Sequence, residues 1–167
     1  MPIGTTSQQV ADSIGSGLAR AVVVARIDGN LIDLNSPLEQ DCSLELFTGD
    51  TPEGHDTLLH STAHLMAQAV KELYPETMVT IGPTIENGFF YDFDSDIPFS
   101  DEVLARIQQK MKELAKSGQD IVRTEMSAGD AVKMFDKMGE SYKVEIIGEI
   151  NPEDVLSAYT QSDFTDL

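Results

Sequence analysis

The stretch DTLLHSTAHLMAQAVKELYP, residues 56–75, has the clearest helical periodicity in this sequence. Its apolar side chains recur every three or four residues, which places them on one side of an α-helix. They are Leu59, Ala63, Met66, Val70 and Leu73. Pro75 has no backbone N–H to continue the helical hydrogen bonds, so it ends the pattern. We therefore predict a helix over residues 56–74 with one face packed on a core.

The residues after this helix predict two more helices and several strands. Each further helix begins after a serine that can cap it and ends at a glycine: Ser100 to Gly118, and Ser127 to Gly139. Short runs rich in β-branched and aromatic residues, with a turn at Pro83, predict strands at 78–81, 88–92, 121–124 and 142–147. We predict an acidic tail after the last strand.

The first fifty residues predict a small separate unit. A short helix capped by Thr6 or Ser7 ends at the Gly15-Ser16-Gly17 step. Three strands follow it, at 21–27, 31–34 and 44–47. The first two strands flank Asp28-Gly29-Asn30, which favours a tight hairpin turn. Residues 49–54 hold two glycines, a proline and two acids, and we predict a linker there.

Charge and composition limit the functions that this chain can have. The 29 acidic residues outnumber the 11 basic ones, for a formal net charge of −18. Contacts with phosphate require Lys and Arg, so we expect the chain alone to bind RNA weakly. No run reaches the roughly 20 apolar residues of a membrane span, and no signal peptide is recognisable. We expect no membrane contact and a cytoplasmic location. The single cysteine, Cys42, is read as an ordinary packed residue.

Two of the three histidines, His60 and His64, lie four residues apart on the helix predicted over 56–74. This spacing stacks their rings on one side of the helix, where they could bind a metal or hold one water between them. A metal site needs three or four ligands, so the spacing alone favours two histidines at the edge of the core. The pair is a weak signal by itself.

Other catalytic motifs are missing from the sequence. It contains no HExxH, GxSxG, P-loop or GxGxxG pattern, so a nucleophilic serine or cysteine enzyme is unsupported. Tyr91 and Lys143 remain as candidates, because a phenol and an ammonium can each bind a phosphate or an ester oxygen. Residues of these types are more often ordinary components of a strand edge.

Three ordered strings change this interpretation: HSTAHLMAQAVKELYP at 60–75, IGPTIENGFFYDFD at 81–94 and GESYKVEII at 139–147. In order and spacing they resemble the second N-terminal domain of threonyl-tRNA synthetases. Upstream, VADSIGSGLARAVVVARIDGNLID at 10–33 resembles the TGS domain of the same enzymes. The resemblance implies an α+β chain, with a partial ubiquitin-like β-grasp (TGS) module over 1–50. An α+β editing domain of the threonyl/alanyl-tRNA synthetase type would follow over 55–167.

The resemblance also implies a function and a set of site residues. In this family the second domain hydrolyses the ester of serine mischarged on threonine tRNA. The family's helix histidines match His60 and His64, its strand tyrosine matches Tyr91, and the lysine of its SYKV string matches Lys143. An aspartate that precedes a Cys-x-x-x-His motif in the family matches Asp166. His60, His64 and Lys143 would then be catalytic, and Tyr91 and Asp166 would hold the aminoacyl-adenosine end.

Two departures from the family pattern are visible. The cysteine and histidine of the Cys-x-x-x-His motif would come directly after Leu167, so the editing site is expected to be incomplete in these residues. The TGS module usually begins with a β-hairpin before its helix, whereas only residues 1–5 precede the helix predicted here. We therefore expect a fragment trimmed at both ends, without the catalytic and anticodon-binding domains.

The resemblance also has implications for cofactors and partners. The parent enzyme would use ATP, Mg²⁺ and Zn²⁺ in its catalytic domain, and no cofactor is expected in this fragment. The parent would be a homodimer that receives the acceptor end of threonine tRNA. Two alternatives stay open: a free-standing trans-editing hydrolase, and a non-enzymatic binding or regulatory module that contains a TGS domain.

Overall fold

The computed structural model describes residues 1–167, which divide into two compact units, Met1–Ser61 and Thr62–Leu167. Both units combine helices with small sheets, so the chain has the mixed α and β content predicted from the sequence. No helix is long and apolar enough to cross a membrane.

The first unit contains helices α1 (Ser7–Ile14) and α2 (Ser16–Ala21), followed by strands β1 (Val22–Ile27), β2 (Asn30–Ile32) and β3 (Leu44–Thr48). The strands form one antiparallel sheet in the order β2-β1-β3. Thr6 caps α1 through a capping box with Gln9, as the sequence predicts. The hairpin turn is also where it was predicted, since Asp28 and Gly29 both have positive φ and Ile27 pairs with Asn30.

Helix α3 (Pro52–Leu73) begins four residues before its predicted start. The hydroxyl of Thr51 accepts a hydrogen bond from the Gly54 N–H at 3.2 Å and so caps the helix. Gly54 packs against the Thr48 carbonyl, where an added Cβ would lie 2.0 Å from the oxygen. The predicted linker over 49–54 is therefore wrong: these residues form a capped turn and the first residues of α3.

The second unit continues with four short strands, β4 (Met78–Val79), β5 (Thr84–Ile85), β6 (Gly88–Phe89) and β7 (Phe93–Asp94). Strand β4 pairs with β7, and β5 pairs with β6. Helix α4 (Asp101–Ser117) is capped by Ser100 and ends at Gly118 in the left-handed conformation, as predicted. Its inward residues Ile107 and Leu114 form a core with Ala69 and Val70 of α3.

The last part of the unit contains β8 (Ile121–Ser127), α5 (Ala128–Met138), α6 (Ser141–Gly148), β9 (Val155–Gln161) and β10 (Phe164–Asp166). The three strands form an antiparallel sheet in the order β10-β9-β8. A second core joins α5, α6 and this sheet around Phe135 and Ile147.

Two predictions for this part are wrong. Residues 142–147 were predicted as a strand but lie in α6, where the buried Lys143 and Ile147 are four residues apart and share one face. The predicted acidic tail contains β9 and β10. The acidic composition of this segment suggested a tail, but its strand β9 has Ala158 and Gln161 buried.

Candidate functional site

Three polar side chains and one backbone N–H of the second unit converge on the carboxylate of Asp166, which is 1% exposed. Oδ2 lies 2.7 Å from Nδ1 of His64 and accepts a hydrogen bond of 2.7 Å from the Tyr91 hydroxyl. Oδ1 lies 2.5 Å from Nζ of Lys143 and accepts a hydrogen bond of 2.9 Å from the backbone N–H of Leu167. A carboxylate has about four acceptor positions, so these contacts fill its capacity.

Each side chain reaches the cluster from a different element. His64 lies on α3 and Lys143 in the first turn of α6, whereas Tyr91 lies between β6 and β7. Asp166 is on β10, opposite Tyr159 of β9 in the antiparallel register. The Tyr159 ring stacks on His64 at 5.3 Å between centroids, which fixes the imidazole plane beside the carboxylate.

The environment of Asp166 favours its charged form. Burial opposes ionisation, but the hydrogen bond with His64 and the positive charge of Lys143 outweigh it and hold the pKa of Asp166 well below its usual range. Burial raises the pKa of Tyr91 far above its usual range, and the neighbouring Asp166 carboxylate adds to this effect. The site therefore contains an ionised carboxylate and a neutral phenol.

This charge state determines the tautomer of His64. An ionised carboxylate can only accept, so Nδ1 of His64 must carry the hydrogen in their 2.7 Å contact. In the neutral form of the ring, the lone pair is then on Nε2. A histidine oriented in this way by a carboxylate is suited to take a proton from water or a hydroxyl group.

A second feature of the site is the tight seat of the Tyr91 ring. The ring lies against Gly82, where an added Cβ would be 2.1 Å from Cδ2 of Tyr91. The ring also stacks with Phe93, at 4.9 Å between centroids. The Tyr91 hydroxyl accepts a hydrogen bond of 3.1 Å from Lys143. The phenol is therefore held by a glycine, an aromatic ring and two charged partners.

Of the five site residues predicted from the sequence, the structure brings His64, Tyr91, Lys143 and Asp166 together. His60 belongs to the residues of the first unit and lies one turn before His64 on α3. No group of three or more His, Cys, Asp or Glu side chains is placed to hold a metal ion.

Sequence reasoning missed several contributors to the site, namely Gly82, Tyr159, Lys71 and Glu140. Gly82 and Glu140 lie in the segments 81–94 and 139–147, which resemble the family. A sequence alone does not show that one glycine leaves room for a tyrosine ring or that one glutamate is buried. Tyr159 falls in the segment predicted as a tail. Lys71 is half-buried and lies 2.8 Å from the buried Glu140, a contact that helical periodicity cannot predict.

Comparison with known proteins shows which families the chain is similar to. The TGS domain family, a ubiquitin-like module, matches residues 1–48. The threonine–tRNA ligase of Citrifermentans bemidjiense is 50% identical over 167 residues, and that of Pelobacter propionicus is 51% identical over 164 residues. The enzyme of Anoxybacillus flavithermus is 43% identical over 166 residues.

These alignments cover 98 to 100% of the chain but only 26% of each ligase. The chain therefore spans about a quarter of the length of the curated relatives it matches. Over its whole length, and with a TGS domain at its start, the chain corresponds to the N-terminal region of threonine–tRNA ligases.

Proposed function

We propose that residues 55–167 belong to an editing domain that hydrolyses serine mischarged on threonine tRNA, and that residues 1–50 form the TGS domain. The observation that carries this proposal is the His64–Asp166 contact, in which a buried carboxylate orients an imidazole as a base. The tyrosine and lysine that share this carboxylate supply further polar groups for an ester substrate.

Ester hydrolysis needs a base for water and a donor for the developing oxyanion. In this proposal Nε2 of His64 takes a proton from a water molecule that His60 helps to position, as the water oxygen attacks the ester carbonyl. Lys143 offsets the negative charge on the carbonyl oxygen of the tetrahedral intermediate, or that of the terminal phosphate. The ester C–O bond then breaks, the ribose oxygen receives the proton, and serine and uncharged tRNA are released.

Asp166 and Tyr91 have different roles in this arrangement. The four acceptor positions of Asp166 are filled by the chain itself, so we assign it the role of holding His64, Tyr91 and Lys143 in place. Tyr91 keeps its proton because its pKa is raised, and its oxygen faces Lys143 and Asp166. It is suited to orient the aminoacyl-adenosine end against these two residues.

Binding arithmetic explains why a threonine enzyme needs such a site. Serine lacks one methyl group of threonine, which is worth only about 1 to 3 kcal/mol in a binding pocket. This discrimination is too small for faithful translation, so a second, hydrolytic site is needed.

We place this activity in a cytoplasmic, homodimeric ligase that binds the acceptor end of threonine tRNA. ATP, Mg²⁺ and Zn²⁺ would act in the part of the ligase that this chain does not span. The resemblance puts a Cys-x-x-x-His motif directly after Leu167, and we propose that its side chains complete the polar cluster.

Deacylation of purified seryl-tRNA of the threonine type tests the proposal. The 167-residue chain and a version extended through the Cys-x-x-x-His motif are compared against buffer. We expect hydrolysis by the extended chain only. Activity of the shorter chain would favour a trans-editing hydrolase, and inactivity of both would favour a binding module without hydrolytic function.

A further inference from the structure

A second ion pair in the second unit joins the half-buried Lys71 to the buried Glu140. Glu140, which is 5% exposed, places Oε1 2.8 Å from Nζ of Lys71. The same Nζ donates hydrogen bonds of 3.0 Å to the carbonyl oxygens of Pro75 and Thr77. An ammonium has three donors, so Lys71 is fully used and ties the end of α3, the turn after it and residue 140 together.

Glu140 is the N-cap residue of α6, yet its side chain makes no capping hydrogen bond. The carboxylate is directed to Lys71 instead, although an acidic group at a helix start would normally stabilise the free N–H groups. Oε2 of Glu140 is buried and has no hydrogen-bond partner. A buried ion pair with an unsatisfied oxygen is weak as a source of stability, because desolvation offsets the attraction.

The position of Glu140 connects this pair to the cluster around Asp166. Lys143 follows Glu140 by three residues in the first turn of α6, so the orientation of that turn sets where its ammonium lies. After burial and the Asp166 carboxylate, the charge of Glu140 is a further cause that raises the pKa of Tyr91. Glu140 therefore lies close enough to act on the site electrostatically.

We infer that Glu140 is a positioning residue, which through its ion pair with Lys71 fixes the first turn of α6 so that the Lys143 ammonium meets both Asp166 and Tyr91. The catalytic importance of this position rests on the proposed hydrolysis. The positioning of Lys143 by Glu140 does not depend on that hydrolysis, so experiments can disprove either one without the other.

The first experiment observes the Lys143 side chain directly in the 167-residue chain. Lys143 is 3% exposed, so the ¹⁵N-correlated proton signal of its ammonium should exchange slowly, and the Lys143→Met variant identifies this signal. Glu140→Gln and Lys71→Met should each speed this exchange by about tenfold or more, the size of coupling between neighbouring groups. Unchanged exchange in both variants would overturn the inference, whether or not any form of the protein hydrolyses an ester.

A control ion pair is available between α4 and α3. Lys110 pairs with Glu72 of α3 at 2.5 Å and has the same residue types, but neither member contacts the cluster. Lys110→Met should leave the Lys143 signal unchanged. An equal effect of Lys110→Met would show that loss of any lysine–glutamate pair loosens the unit, which would contradict a specific role for Glu140.

The second experiment measures deacylation kinetics in the full-length ligase that carries this chain. Glu140→Gln should lower kcat by roughly 10²-fold, the cost of misplacing a reacting group, with KM unchanged. In a Lys143→Met background Glu140→Gln should add little, because both changes remove the same contribution. Additive losses would indicate a general structural role and would overturn the inference.

A double variant separates the effect of the ion pair on the position of Lys143 from its effect on the stability of the fold. Lys71→Met with Glu140→Leu replaces the pair by apolar side chains, and such replacements often preserve or increase stability. We expect the melting temperature of the double variant to return to that of the parent protein, while its kcat stays as low as in Glu140→Gln. Recovery of both would mean that packing alone suffices, and the ion pair would then have no positioning role.

Discussion

Nδ1 of His64 lies 2.7 Å from Oδ2 of Asp166, although 102 residues separate the two in sequence. The contact joins α3 to β10, the last strand of the chain. Because Asp166 also binds Tyr91 and Lys143, one carboxylate holds side chains from three other segments. The order of the candidate site therefore depends on β10.

The first prediction concerns the contribution of this carboxylate to stability. Asp166→Asn removes the charge that faces Lys143 and leaves a buried ammonium without its partner. We expect the free energy of unfolding to fall by about 3 to 5 kcal/mol, the range for breaking one side of a buried ion pair. Urea denaturation followed by circular dichroism measures this change.

The exposed pair of Asp130 and Lys133 provides the control for this measurement. Asp130→Asn should leave the unfolding curve close to that of the parent, since exposed pairs contribute little. Equal losses in the two variants would contradict a special role for Asp166.

The second prediction is a pH dependence with a defined sign. The folded pKa of Asp166 lies below its unfolded value, which is about 3.9. Its contribution is therefore complete above about pH 4 and is lost as the pH falls toward the folded pKa. We expect the stability difference between the parent chain and Asp166→Asn to shrink as the pH falls below about 4. A difference that persists undiminished at low pH would rule out this linkage.

These relationships mark the limit of what the sequence predicts. Local signals located α1, α4 and α5, because Thr6, Ser100 and Ser127 each cap the helix that follows. Such caps depend only on residues within one turn. Helical periodicity likewise predicted that His60 and His64 lie on the same helix, one turn apart.

Non-local packing explains the predictions that are wrong. Four of the six residues 142–147 are β-branched or aromatic, but their helix buries Lys143 and Ile147 on one face against other elements. Lys143 lies inside because a carboxylate from β10 meets it there. A residue type alone cannot predict a burial that depends on a distant partner. Family resemblance, which reflects the whole fold, was needed to select Asp166.

The third prediction concerns the seat of Tyr91. Gly82→Ala would put a methyl group 2.1 Å from Cδ2 of the ring, so the tyrosine must move away from Asp166 and Lys143. In the extended chain we expect deacylation to fall by about 10²-fold, the cost of a displacement near 1 Å. Gly88→Ala is the matched control, because a Cβ there meets nothing within 4 Å. If the Gly82 variant kept full activity, the position of Tyr91 would not matter for catalysis.

The fourth prediction concerns RNA affinity. With 29 acidic and 11 basic residues, the isolated chain has few cations to displace counterions from tRNA. Filter binding at near-physiological salt should give a Kd no tighter than the non-specific range, about 10⁻⁴ to 10⁻⁶ M. Threonine tRNA and an unrelated tRNA should behave alike. Nanomolar binding that distinguishes the two would show that this chain recognises tRNA by itself.

The last prediction tests the histidines in the chain extended through the Cys-x-x-x-His motif. If His64 accepts a proton from water, His64→Ala should lower the deacylation rate by roughly 10² to 10⁴, the contribution of a general acid or base. We expect His60→Ala to fall in the same range. His55 is an exposed histidine on the same helix, so His55→Ala controls for the loss of an imidazole from α3. Circular dichroism should show equal helix content in all three variants. Full activity of both His60→Ala and His64→Ala, in an extended chain that is itself active, would remove the histidines from the mechanism and leave Lys143 and Tyr91 as the groups to test next.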